Sequence, residues 1–180
     1  TGVSIMKVEK KLDSGPVFLK SRIKIGENDS TEIIFKQIIS KGKPLLLQTL
    51  NDVVDGKYKL EEQDQKKVTY ANKIEKNESK IDWNKSASEI LLKIRAFYPA
   101  PGAWTFLDNG KRVRILIAKV FAKSDDYNNK EQNFSLVEDD LIIKCGKGYL
   151  AIRLLQVEGK IPVEAKEFVN GYKTSYFLND

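Results

Sequence analysis

Apolar and polar residues alternate from Val3 to Glu9, which predicts a strand. A second run from Val17 to Ile25 predicts another, and between them Leu12-Asp13-Ser14-Gly15 forms a tight, glycine-ended loop that lifts one carboxylate off the strands. A carboxylate mounted this way suits catalysis, and it equally suits an Asx-type turn. Asp29-Ser30-Thr31-Glu32 has capping-box spacing and opens a helix through Ile33, Ile34, Ile38 and Ile39. Gly42 and Pro44 are expected to break it, with Pro44 opening a second helix through Leu45, Leu46, Leu47, Leu50 and Val54 as far as Gly56. Two strands and a kinked helix cannot bury their own apolar faces, so residues 1–56 read as the tail of an α/β sheet. Residues 57–79 are polar and charged with little periodicity, as a linker would be, except that Val68 to Ile74 carries apolar residues suited to docking on a neighbour.

From Lys80 the pattern changes. Ser86-Ala87-Ser88-Glu89 is a second capping-box spacing, and its helix runs through Ile90, Leu91, Ile94 and Phe97 before stopping at Pro99 and Pro101. Strands are predicted at 103–107, 111–122, 134–138, 141–145 and 149–157, with turns at Asp108-Asn109-Gly110 and Gly146-Lys147-Gly148. Pro162 is expected to open a last short helix through Ala165, Phe168 and Val169. Five short strands with flanking helices fit a small, partly open β-barrel of the OB kind. The fold class expected is therefore α/β followed by a β-rich domain.

Composition narrows the chemistry. The 180 residues are 41% hydrophobic and 31% charged, with a formal charge of +6, so a polyanion such as nucleic acid is a natural partner. Positive charge is spread along the chain and not gathered in a tail. Histidine is absent, which excludes a Ser-His-Asp or Cys-His arrangement within these residues and leaves carboxylates, Lys or Tyr as bases. Either the chain is not a complete enzyme or its histidine lies elsewhere. The single cysteine, Cys145, excludes an internal disulfide, and its strand-like surroundings predict a small buried residue and no nucleophile. No metal site is expected. No apolar run approaches a membrane span and no signal-peptide pattern opens the chain, so a soluble chain away from membranes is expected; a cytoplasmic location and a monomeric state are separate expectations.

Three segments, in order, resemble the methionyl-tRNA formyltransferases: TGVSIMKVEKKLDSGPVF; Tyr70-Ala71-Asn72-Lys73-Ile74 followed by Lys80-Ile81-Asp82-Trp83; and Ile94-Arg95-Ala96-Phe97-Tyr98-Pro99-Ala100-Pro101-Gly102-Ala103-Trp104. The likeness covers the whole chain. It implies transfer of a formyl group from the cosubstrate 10-formyltetrahydrofolate to the amino group of initiator methionyl-tRNA, by a Rossmann-like catalytic domain followed by an OB-like tRNA-binding domain. Residues 1–56 would be the C-terminal part of that catalytic domain, 57–79 the linker and 80–180 the OB-like domain. The family's catalytic trio is an Asn, a His and the Asp of the Leu-Asp-x-Gly loop, and only the last has a counterpart, Asp13. The chain is thus expected to begin inside the catalytic domain, to lack the folate pocket, and to transfer no formyl group alone. Two other readings are a free-standing OB-like RNA-binding protein without catalysis and a sugar-nucleotide formyltransferase of the same fold.

Several basic residues are candidates for tRNA. Arg112 and Arg114 share a strand face by the period-two rule, next to Lys111. Lys73 lies in the linker motif, and Lys160 and Lys173 flank the C-terminal helix. Arg95 suits either a phosphate or a structural role beside Asp82 or the Pro99 turn. Trp83 and Trp104 are expected in the core more than on bases, and the pairs Asp125-Asp126 and Asp139-Asp140 in solvated loops more than around a cation.

Overall fold

A computed structural model describes residues 1–122, 135–172 and 176–178. The Asp125-Asp126 pair and Lys173 lie outside the described residues. The chain divides into two compact units, Thr1–Lys73 and Ile74–Asp180.

In the first unit, β1 (Gly2–Met6) and β2 (Val17–Arg22) form an antiparallel hairpin with a register shift at Ile5/Met6. Helix α1 (Thr31–Val54) packs on both strands, and its less exposed positions Ile34, Ile38, Gly42, Leu45 and Thr49 recur every three to four residues, which keeps one face inward. Its cap is Ser30, which accepts from the Ile33 N–H, while the Asp29 carboxylate accepts from the Gly26 N–H at 2.8 Å. The cap therefore sits one residue later than the D-x-x-E spacing indicates. The expected break at Gly42 and Pro44 is absent, and α1 runs through both. Proline removes one helical N–H, but the inner face continues past it, and the buried Thr49 hydroxyl donates to the Leu45 carbonyl at 2.9 Å one turn beyond.

Residues 57–73 stay with the first unit. Glu61 exchanges both backbone hydrogen bonds with Val17 at 2.9 Å each and pairs with the Lys20 ammonium at 2.6 Å. Val68, Tyr70 and Ile74, expected to dock, are exposed.

In the second unit, α2 (Ala87–Phe97) starts on the capping box read from the sequence: Ser86 Oγ accepts from the Glu89 N–H, and Glu89 accepts from the Ser86 N–H. Strands β3 (Ala103–Phe106), β4 (Arg112–Phe121), β5 (Ser135–Val137), β6 (Asp140–Lys144) and β7 (Tyr149–Val157) form an antiparallel sheet in the order β3-β4-β7-β6-β5. The register between β4 and β7 is irregular around Ile117. Among the described residues β3 and β5 do not pair, so the sheet is not closed into a barrel. Pro162 opens no helix: the two-residue strand β8 (Val163–Glu164) pairs with β7 first, and α3 (Ala165–Gly171) begins after it.

Alternation along the strands sends Val113 and Ile115, and Leu150 and Ile152, into the core, the irregular register around Ile117 brings Leu155 there too, and Ile90 and Ile94 of α2 and Phe168 of α3 complete it. Ile81 and Trp83 are buried in the same core while Asp82, between them, accepts from the Asn84 N–H. Trp83 stacks on Phe177 at 5.3 Å and donates to the Thr105 hydroxyl at 3.1 Å, so its indole N–H is satisfied in the interior. Among the described residues no helix is long and apolar enough to cross a membrane.

Candidate functional site

Asp13 projects from the loop joining β1 to β2. Its side chain is exposed and its backbone is left-handed, φ 51°, a conformation Asp tolerates better than most residues. The Ser14 hydroxyl donates to the Lys11 carbonyl at 2.9 Å, and the Lys7 N–H donates to the Pro16 carbonyl at 2.9 Å, closing the loop's base. Gly15 is buried, and a Cβ there would lie 1.8 Å from the Lys7 carbonyl oxygen. Only glycine fits, which explains the end of the Leu-Asp-x-Gly sequence in steric terms. Gln63, fifty residues away in sequence, donates to the carbonyl of Asp13.

A second site lies on the outer face of the sheet in the second unit. Because Ala103, Thr105 and Leu107 point inward, Trp104 and Phe106 point outward together with Arg112 and Arg114 of β4. The two rings meet edge to face at 5.2 Å. The Arg112 guanidinium lies 5.7 Å from the Trp104 ring centre and 2.8 Å from the Glu158 carboxylate, and the Lys80 ammonium lies 6.0 Å from both rings. Trp104 donates its indole N–H to the Lys76 carbonyl at 3.2 Å. The expectation of a core tryptophan thus holds for Trp83 and is corrected for Trp104, which is half-buried on the opposite face. The strand alternation carried that signal, but the apolar neighbours obscured it.

The other basic candidates are dispersed. Arg114 donates to the Pro99 carbonyl at 2.5 Å and to the Gln156 carboxamide oxygen at 3.2 Å, and its Nε is enclosed without a partner. A Cβ on Gly102, whose φ is +84°, would sit 2.5 Å from that Nε, so the Pro-Gly turn is shaped around the guanidinium. Gln156 in turn donates to the Lys160 carbonyl at 2.8 Å, which brings the exposed Lys160 to the same edge. Arg95 is half-buried in the last turn of α2, where a cation complements the helix C-terminus. Lys73 is exposed at the end of the first unit. Lys111 lies with its ammonium 5.8 Å from the Tyr172 ring centre.

Two acidic residues depart from expectation. Asp139 and Asp140, expected in a solvated loop, are ion-paired: buried Asp140 meets Lys119 at 2.8 Å and Arg153 at 3.3 Å, and Asp139 meets Lys166 at 3.4 Å and Arg153 at 3.6 Å. The tight β5–β6 turn, with Glu138 at φ 57°, sets both carboxylates beside these cations. Among the described residues no group of three His, Cys, Asp or Glu side chains is placed to hold a metal. Burial pushes the Cys145 thiol up to about 11, so at neutral pH it is no nucleophile.

Residues 73–173 match the family described as "Formyl transferase, C-terminal domain". A methionyl-tRNA formyltransferase from Pelagibacter ubique is 36% identical over 173 residues, which are 95% of this chain and 53% of that protein. The chain spans about half the length of the curated relatives it matches. The solved structure of HypX from Aquifex aeolicus in complex with tetrahydrofolic acid superposes with a TM-score of 0.72 at 17% identity, covering 96% of this chain and 30% of that one. An N-formyltransferase from Helicobacter canadensis, in complex with folinic acid and dTDP-3-aminofucose, gives a TM-score of 0.63 at 19% identity, covering 84% of this chain and 54% of that one. At these identities the two structures speak for the fold alone. With its C-terminal domain matched over more than half of its residues, the chain belongs to the formyl transferase family.

Proposed function

We propose that this chain is the Asp-bearing and tRNA-engaging part of a methionyl-tRNA formyltransferase acting in cytoplasmic translation initiation. The observation that carries the reading is the likeness to the Pelagibacter enzyme, which extends over 95% of the chain and so takes in both the Asp13 loop and the sheet domain. In this reading residues 1–56 end a Rossmann-like catalytic domain, 57–79 link it onward, and 80–180 form an OB-like domain that stays open. The substrates are 10-formyltetrahydrofolate and initiator methionyl-tRNA, and the unit that acts is a monomer.

The methionyl amine attacks the formyl carbon, loses a proton as the tetrahedral intermediate forms, and the folate nitrogen departs. Asp13 supports a histidine outside these residues through its negative charge while the proton moves. The chain alone therefore transfers no formyl group. Arg112, Lys160, Lys73 and Arg95 contact tRNA phosphate and sugar, with Arg114 shaping the face on which Arg112 stands. Such contacts make affinity fall steeply with salt and depend weakly on base identity.

The test is a salt titration of tRNA binding by the chain, beside a formyl-transfer assay with formylated folate and charged tRNA. Tight binding at low salt without turnover is expected. Turnover by the chain alone would overturn the division of labour, and absence of binding at low salt would favour the sugar-nucleotide enzyme over the tRNA enzyme. A non-catalytic RNA-binding protein would be indicated if the full-length polypeptide bound tRNA and transferred no formyl group.

A further inference from the structure

The loop that carries Asp13 is long for a hairpin connection, and its own hydrogen bonds fix its base and the turn from Lys11 to Ser14. None of these bonds holds the Asp13 or Gly15 carbonyl. Gln63 does so: its Nε2 donates to the Asp13 carbonyl at 2.9 Å and to the Gly15 carbonyl at 2.6 Å, so the two N–H groups of one carboxamide hold the two carbonyls on either side of Ser14. The reach is set two residues earlier, where Glu61 exchanges backbone hydrogen bonds with Val17 and pairs with Lys20. The chain then turns away at once, because Asp64 accepts from the Lys66 N–H at 3.0 Å and caps a short 3-10 turn.

We propose that Gln63 is a positioning residue for Asp13, holding the loop in its left-handed conformation and so directing the Asp13 carboxylate. The proposal rests on the reading that Asp13 takes part in formyl transfer. A carboxamide suits the task because both partners are acceptors and Gln supplies two donors without charge. A carboxylate of the same shape would set acceptor against acceptor.

The experiment uses the full-length polypeptide that carries this chain and compares Gln63→Leu, Gln63→Glu, Asp13→Asn and the double variant Asp13→Asn/Gln63→Leu in formyl transfer. Gln63→Leu is expected to lower kcat by roughly 10- to 100-fold with little change in KM for tRNA, as a displaced reacting group does. Gln63→Glu is expected to be at least as slow. The double variant is expected to be no slower than Asp13→Asn, since the two side chains act through one loop. Amide exchange in β1 and β2 of Gln63→Leu should stay as in the parent, with faster exchange confined to residues 9–16; loss of protection throughout the hairpin would show a folding role and overturn the proposal. A near-normal kcat in Gln63→Leu beside a crippled Asp13→Asn would overturn the proposal and leave the function standing. An unaffected Asp13→Asn would overturn both the proposal and the role given to Asp13.

Discussion

The two units of this chain treat their apolar residues in opposite ways. In the second, Ile94, Leu107, Ile115, Leu150, Ile152, Leu155 and Phe168 are all fully buried between a sheet and two helices. In the first, Ile23 is the one apolar side chain buried outright, and α1 leaves Ile33, Phe35, Ile39, Leu46, Leu47, Leu50, Val53 and Val54 open to solvent. Hydrophobic burial is the main favourable contribution to folding, so the second unit has the makings of an independent domain. The first has little beyond a hairpin, one helix face and the ties made by Glu61 and Gln63. In the proposed reading, the Asp13 loop sits on the unit that buries less apolar surface, and the face offered to tRNA sits on the one that buries more.

The contrast can be broken most severely at Phe168. Phe168→Ala should cost the second unit about 3–5 kcal/mol in urea unfolding, because it opens a cavity among fully buried neighbours. A loss below about 1 kcal/mol would mean that the core is not cooperative. Next comes Ser86→Ala, expected to cost about 1 kcal/mol by leaving the α2 N-terminus uncapped. Hydrogen bonds from the Ser86 side chain and backbone hold the Glu89 carboxyl below its ordinary value. A depressed carboxyl contributes stability above the ordinary carboxylate range and loses it as pH falls through the lowered value. Stability measured against pH should therefore show a shallower acid limb in Ser86→Ala than in the parent.

Arg112→Ala tests the other side of the comparison, since it leaves the core untouched. It should weaken tRNA binding about equally for different sequences and reduce the salt slope by about one. Glu158→Gln, which frees the same guanidinium from its carboxylate, should act in the opposite direction. The smallest change is expected on α1. Ile39→Ser removes an apolar side chain that is 54% exposed, so its effect on the stability of this chain should stay within about 0.5 kcal/mol. A large loss there would show that the outer face of α1 is covered in solution.

Much of this architecture is legible in the sequence where local rules decide. Strands β3 to β7 and the Ser86-x-x-Glu89 cap follow from alternation and spacing that each segment carries within itself. The expectations that fail depend on neighbours. Gly42 and Pro44 would break an isolated helix, but the inner face of α1 continues against the hairpin on both sides of them. Pro162 would open a helix if β7 did not first pair with Val163 and Glu164. Trp104 reads as core by composition and is turned outward by register with Arg114. Asp13 is identified by resemblance, whereas Gln63 has no local signature because its partners lie 50 and 48 residues earlier.

The steric limit at Gly15 reaches into heredity. Every amino acid that a single base change can substitute for glycine carries a Cβ, and at this position that atom would meet the Lys7 carbonyl oxygen at 1.8 Å. No missense mutation of that codon leaves the loop as it is. In a lineage that depends on Asp13, position 15 should therefore be silent to drift: synonymous substitutions accumulate there while every replacement is removed by selection.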